Sequence, residues 1–196
     1  MEKYLFLEQG VAKMKKFEER TVSSETLFKG RVISLQVDEV ELPNGKTGKR
    51  EIIKHPGAVA VIAITDEGKM IMVEQYRKAM ERSLVEIPAG KLEPGEEPLR
   101  SAERELEEET GYGSAEMKHL ISFYTSPGFA DELVHLFVAT GLTKKENPAD
   151  CDEDEFVEVI ELTVEEAQRY IEEGKIADAK TAYAVQYLQL KNALEH

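Results

Sequence analysis

One run of residues, Gly90-Lys91-Leu92-Glu93-Pro94-Gly95-Glu96-Glu97-Pro98-Leu99-Arg100-Ser101-Ala102-Glu103-Arg104-Glu105-Leu106-Glu107-Glu108-Glu109-Thr110-Gly111-Tyr112, sets the strictest condition on the fold of this chain. Gly95 favours a turn, and Pro98 suits the first helical position, where its missing N–H costs nothing. Leu99, Ala102 and Leu106 recur at helical spacing and predict one apolar stripe. Gly111 predicts the stop, because a helix end commonly takes the left-handed conformation that glycine accepts. On such a helix Glu105, Glu108 and Glu109 fall within an arc of about 100° beside the stripe. Arg104 can pair with Glu108 one turn on, but one guanidinium cannot neutralise three carboxylates. Two readings follow: a solvated acidic face, the usual fate of charged runs, or a site for a hard divalent cation. Mg²⁺ and Mn²⁺ take oxygen ligands, and Mg²⁺ typically uses one or two carboxylates with waters and substrate phosphates.

The spacing separates these readings. Gly90 is followed after five residues by Glu96, and after seven more by Arg104-Glu105-Leu106, then Glu108-Glu109 and Gly111. This pattern resembles the Nudix box, with Tyr112 standing where an aliphatic residue is usual. The resemblance extends through Glu74-Gln75-Tyr76-Arg77, Glu86-Ile87-Pro88-Ala89-Gly90, Ser126-Pro127-Gly128-Phe129 and Asp154-Glu155-Phe156-Val157-Glu158-Val159, over most of residues 20–190. A proline at this distance after the box, inside Ser-Pro-Gly-Phe, is similar to the ADP-ribose pyrophosphatase branch of the Nudix enzymes.

The resemblance implies an α/β fold, a Nudix-type α/β/α sandwich with a mixed sheet, plus an N-terminal antiparallel strand unit. It also implies Mg²⁺-dependent hydrolysis of ADP-ribose to AMP and ribose 5-phosphate, with Mn²⁺ as a substitute. Glu105 and Glu109 match the principal side-chain metal ligands, the Ala89 carbonyl would complete the set, and Glu108 is a further ligand or helper. Arg104 is expected to orient the glutamates and Glu96 to support the loop, with Gly90 opening the motif. The general base is expected from a distant loop, where Glu155 aligns best and Glu153 is the alternative; an exposed acidic loop is the competing reading of that stretch. Arg50 and Arg77 match substrate-contacting positions, and guanidinium groups suit diphosphates. Glu51 and Glu132 are expected as acceptors for ribose hydroxyls. A homodimer exchanging its N-terminal strands is also implied.

The formal net charge of -14 argues against a nucleic-acid or membrane-surface binder, since both need basic patches. No apolar run approaches membrane-spanning length, and no signal peptide is visible. The single cysteine, Cys151, excludes an intramolecular disulfide and fits a reducing cytosol, so a cytoplasmic location is expected. Residues 1–19 are read as a leader, 20–55 as an antiparallel strand unit serving dimerisation and substrate contact, 56–193 as the hydrolase domain, and 194–196 as a tag remnant.

Arg31–Leu42 and Arg50–His55 are predicted strands around the turn Pro43-Asn44-Gly45-Lys46. Ala58–Ile64 is a continuous apolar run that predicts a central strand; Lys69–Tyr76 follows across a second turn, and Leu84–Pro88 leads into the acidic motif. Met117–Tyr124, Leu133–Ala139 and Phe156–Leu162 are further strands. Thr163-Val164-Glu165-Glu166 predicts a helix start with a capping box. A last helix spans 177–193, its apolar residues including Ala182, Val185, Leu188 and Leu190. His55 and His135 are read as packed or hydrogen-bonded residues without a catalytic role. Two alternatives to ADP-ribose hydrolysis stand: a pyrophosphatase for another nucleotide sugar or a dinucleotide, and a non-catalytic module that senses ADP-ribose. The second would be expected to lose the metal-binding glutamates, which this chain keeps.

Overall fold

Strict alternation of side chains along three central strands decides the layering. The computed structural model describes residues 15–146 and 156–195, which cluster into two compact units dividing between Lys54 and His55. The first unit is an antiparallel sheet of β1 (Arg20–Lys29), β2 (Ser34–Glu41) and β3 (Thr47–Lys54), in that order. β1 is exposed along its whole length. The predicted strand from Arg31 starts later than expected, because the Gly30 N–H bonds to the Ile33 carbonyl at 2.9 Å and makes 31–33 part of a hairpin turn. The returning strand begins earlier, at Thr47, across the turn in which Gly45 takes φ 77°.

The second unit carries β4 (Ala58–Ile64), β5 (Met70–Arg77), β6 (Arg82–Glu86), β7 (Ala89–Lys91), α1 (Pro98–Thr110), β8 (Tyr112–Tyr124), β9 (Leu133–Lys144), β10 (Val157–Leu162), α2 (Val164–Glu172) and α3 (Ala179–Glu195). Its sheet has seven strands, with path β10-β5-β4-β9-β8 and with β6 on β5 and β7 on β4. The β4–β9 pair is parallel and the others antiparallel, so the sheet is mixed, as expected. Successive strand side chains point to opposite faces. Val59, Val61 and Ala63 with Ile71, Phe137 and Ala139 therefore pack on Ala102 and Leu106 of α1. Ala60, Ile62, Met70, Met72, Val134 and Leu136 meet Val164, Ala167, Ala184, Val185 and Leu188 of α2 and α3 on the other face. The expected α/β/α sandwich is present, and β4 is buried on both sides.

Pro98 stands at the start of α1, and Gly111 (φ 72°) ends it, its N–H bonding to the Glu107 carbonyl. The buried face differs from expectation. Leu99 is 40% exposed, whereas Ser101, Ala102, Glu105, Leu106, Glu109 and Thr110 are buried. These form two adjacent rows at i, i+4, i+8: Ala102-Leu106-Thr110 toward the sheet, and Ser101-Glu105-Glu109 beside it. Leu99 lies in the first turn and in neither row, sharing its own i, i+4 row with Glu103 and Glu107. β8 and β9 are longer than predicted, pairing from Tyr112↔Lys144 to Tyr124↔Leu133. α2 starts with the expected capping box of Thr163 and Glu166. α3 begins at Ala179, and Leu190 is 63% exposed, two residues and roughly 200° from buried Leu188.

One irregularity shapes everything near α1. β4 and β5 pair only at Ala63↔Ile71 and Ile64↔Met70. Beyond that point β5 pairs with β6 and β4 with β7, and Ile87-Pro88 fills the fork. The Pro88 carbonyl accepts from Val61 N at 2.9 Å. Substituting fully buried Ile62 by alanine is expected to cost about 2–5 kcal/mol. Leu190→Ala should stay within about 0.5 kcal/mol; urea unfolding of both variants checks the pair.

Candidate active site

The fork delivers residues 86–90 to the polar row of α1. Glu109 Oε2 accepts from Ala89 N at 2.9 Å, which joins the helix to the first residue of β7. Gly90 meets Glu105 more intimately: a Cβ on Gly90 would lie 1.9–2.2 Å from the Glu105 carboxylate. Only a residue without a side chain lets this carboxylate sit there. Glu105 and Glu109 are 7% and 4% exposed. Ionised carboxylates at such depth require bonded partners or cations.

Arg104 organises the remainder. Its Nε and Nη2 donate to the two oxygens of Glu96 at 3.0 and 2.9 Å, a two-pronged pairing that fixes orientation as well as distance. Nη1 donates to Glu105 Oε1 and Glu108 Oε2, both at 2.8 Å, and Nη2 also reaches Ser101 Oγ at 3.2 Å. The bond to Glu96 holds the guanidinium pKa well above its ordinary value. The same bond brings the Glu96 carboxyl from 4.5 down to about 2. One arginine thus serves three carboxylates, while Glu109 turns to a backbone N–H.

Among the described residues, no group of three or more His, Cys, Asp or Glu side chains is gathered closely enough to hold a metal ion. Arg104 Nη1 stands between Glu105 and Glu108. Mg²⁺ does not need such a closed protein cage, since it keeps several waters and shares substrate phosphates. The donors here are hard oxygens on one buried row, with Glu105 filling the space a side chain on residue 90 would take. That donor set fits Mg²⁺ or Mn²⁺ and suits a soft metal poorly.

The other candidate residues are placed as follows. Arg77, at the end of β5, donates from Nε and Nη2 to Glu86 at 2.6 and 2.7 Å. Glu132 accepts from Thr125 Oγ1 at 2.5 Å and lies 3.8 Å from His55 Nε2, closing the loop that contains Ser126-Pro127-Gly128. His55 Nδ1 accepts from Gly57 N at 3.1 Å, and its backbone N–H donates to Asp131 Oδ1 at 2.8 Å, in keeping with a hydrogen-bonded structural role. His135 Nδ1 and His119 Nε2 both meet Ser122 Oγ at 2.8 Å. Arg50 and Glu51 belong to β3 of the first unit, where Arg50 pairs with Glu19. Glu153 and Glu155 lie outside the described residues.

Sequence reasoning missed Glu86 as a site neighbour. It is 2% exposed within Leu84-Val85-Glu86-Ile87, and Lys180 of α3 bonds to it from the far side. Burial alone would raise its pKa, yet the bonds from Arg77 and Lys180 prevail and bring it to about 2. A carboxylate inside a buried strand was the available signal, because it demands a buried cation. A shallow groove of about 520 Å³ lined by Tyr76, Ser83 and Phe156, among others, holds none of the α1 carboxylates. Charge and close approach mark the site rather than concavity.

Comparisons with known proteins find similar sequences and a similar fold. The family model described as NUDIX domain matches residues 54–184, and one described as nucleoside diphosphate sugar hydrolase N-terminal domain matches residues 19–53. A methanol dehydrogenase activator of Bacillus methanolicus is 67% identical over 93% of this chain and 98% of its own. An ADP-ribose pyrophosphatase of Bacillus subtilis (strain 168) is 62% identical over the same shares. A solved ADP compounds hydrolase superposes with a TM-score of 0.78 over 93% of this chain and 97% of its own, at 21% identity, a likeness of fold alone.

Gly90→Ala should fold, because the clashing atoms are the mobile end of Glu105, but it should displace that carboxylate. Weaker Mg²⁺ binding by calorimetry with an unchanged circular dichroism spectrum is the expected pair of results. The lowered pKa of Glu96 means that its contribution to stability is full above 4.5 and drains as pH falls toward about 2. Glu96→Gln should therefore flatten the fall in urea stability over that interval, and an equally steep fall would show that Glu96 carries none of it.

Proposed function

The chain belongs to the NUDIX family, and on that premise we propose that it hydrolyses the diphosphate bond of ADP-ribose, releasing AMP and ribose 5-phosphate. The observation that carries this reading is the match, over nearly its full length, to the ADP-ribose pyrophosphatase of Bacillus subtilis. Glu105 and Glu109, with the Ala89 carbonyl, would hold Mg²⁺ or Mn²⁺, and Glu108 would assist. Once bound, such an ion neutralises diphosphate oxygens and acidifies a water.

The chain's own residues set the rest of the reaction. Arg104, locked by Glu96, holds the Glu105 and Glu108 carboxylates in a fixed relation, so little reorganisation is needed when substrate arrives. Arg77 offers a guanidinium to the diphosphate oxygens, and Arg50, Glu51 and Glu132 are assigned to substrate on resemblance. The water's proton passes to a carboxylate oxygen, assigned first to Glu155 and second to Glu153. A non-catalytic sensor is disfavoured, because it would be expected to lose these glutamates, whereas Glu105 and Glu108 stand here bonded to Arg104 and Glu109 to Ala89 N.

A homodimer with exchanged N-terminal strands belongs to the same proposal. A three-stranded sheet has little core of its own, and β1 leaves Val22, Leu27 and Phe28 more than half exposed. A second copy would cover them. A cytoplasmic location is proposed from the lone cysteine; among the described residues no helix is long and apolar enough to cross a membrane.

A second reading is favoured by the similarity to the methanol dehydrogenase activator: the chain stimulates such a dehydrogenase. Adding the purified protein to a methanol dehydrogenase and following alcohol oxidation decides it. For the hydrolase, incubation with ADP-ribose and Mg²⁺ should yield AMP and ribose 5-phosphate, faster than GDP-mannose or diadenosine polyphosphates are cleaved. Glu105→Gln and Glu109→Gln should each lower kcat by roughly 10²-fold or more while the proteins remain folded. AMP release at the wild-type rate by either variant would remove that residue from the mechanism.

A further inference from the structure

We propose that Lys180, acting through Glu86, positions the guanidinium of Arg77 for a diphosphate ligand, so that the first turn of α3 is part of the substrate-binding apparatus. The inference rests on the hydrolase reading for the identity of the ligand, and on the structure alone for the linkage.

Glu86 is the hub. Its carboxylate is 2% exposed, takes both bonds of Arg77, and also accepts from Lys180 Nζ. Lys180 is itself held: its side chain is 14% exposed, and Nζ donates to Asp178 Oδ1 at 3.0 Å. That same oxygen accepts from Thr181 N at 3.0 Å. Thr181 Oγ1 accepts from Ile87 N at 3.1 Å, so adjacent residues of α3 grip adjacent residues of the fork. The series continues through Pro88 to Ala89, whose N–H donates to Glu109.

A two-pronged arginine–carboxylate pair is rigid internally but can swing as a body. The third bond, from a lysine anchored on another element, removes that freedom. Arg77 then inherits the orientation of a carboxylate tied to α3. Its side chain remains 39% exposed, and its bonds to Glu86 are made through Nε and Nη2. The charges of Glu109 and Asp178 also act on this guanidinium. Lys180 faces Glu86 and Asp178, so it is a positioning residue and not a substrate contact. Lys180 thus ties Glu86 to Asp178 at the start of α3.

The test is a double-mutant cycle between Lys180→Met and Arg77→Ala, read as steady-state constants and as the Arg77 Nε–H resonance. In the wild-type background Lys180→Met should raise KM for ADP-ribose roughly tenfold with kcat changed less than about twofold. Lys180→Arg should restore most of the loss. In the Arg77→Ala background the same substitution should add nothing. An equal rise in KM in both backgrounds, or a fall in kcat at unchanged KM, overturns the proposal. Should Lys180→Met fail to accumulate as folded protein, Lys180→Gln enters the same cycle. The Nε–H resonance, assigned by its loss in Arg77→Ala, needs no substrate: it should broaden in Lys180→Met and persist in Lys180→Arg. An unchanged resonance in Lys180→Met sinks the linkage. If wild-type protein leaves ADP-ribose intact, the hydrolase reading fails by itself, and the resonance still decides the linkage.

Discussion

The contact between the Glu105 carboxylate and the bare Cα of Gly90 is the constraint on which the site depends. It brings a helix and a short strand together with no side chain between them. The neighbouring bond from Ala89 N to Glu109 repeats the junction one turn along the helix. Neither contact would survive rotation of α1 by one residue, because Arg104 or Leu106 would then stand where Glu105 meets Gly90. The register of α1 is in turn held by Ala102 and Leu106, both fully buried against the sheet. Apolar packing thus aims the acidic row, and the acidic row meets the only kind of residue that admits it.

The fork between β4 and β5 gives that junction its location. Had these strands paired along their full length, residues 86–90 would have had no place between them. Pro88 is well suited to the gap: it lacks an N–H to satisfy, and its carbonyl is taken by Val61. Buried charge then accumulates where regular pairing stops. Glu86 with Arg77 and Lys180 lies on one side, and the glutamates of α1 with Arg104 lie on the other. Each cluster is tolerated because its carboxylates are bonded, and an isolated buried charge would be strongly unfavourable.

Much of this was legible along the chain. The box spacing pointed to α1, its proline start, its glycine stop and the pairing of Arg104 with Glu108, all of which are local within a few turns. The apolar run Ala58–Ile64 pointed to a doubly covered strand, and Thr163 with Glu166 to a helix start. Leu99 was misjudged because periodicity identifies a face but cannot say how far the partner surface extends beneath it. The lengths of β8 and β9 were underestimated because Tyr112 to Glu116 carries weak alternation, and pairing with the far end of β9 supplies what local preference lacks. Glu86 and Lys180 were invisible as a pair, being 94 residues apart.

By itself the sequence determined the family, the position and ends of its acidic helix and the layering of its central strands, since those depend on spacing and on side-chain period. Only the tertiary structure decided which carboxylates are buried, that Arg104 is shared among three of them, and that Arg77 is gripped from α3 through Glu86. The physical reason is range. Caps, turns and helical rows are set by residues a few positions apart, whereas the energy of a buried charge depends on whatever the folded chain brings within a few ångströms of it.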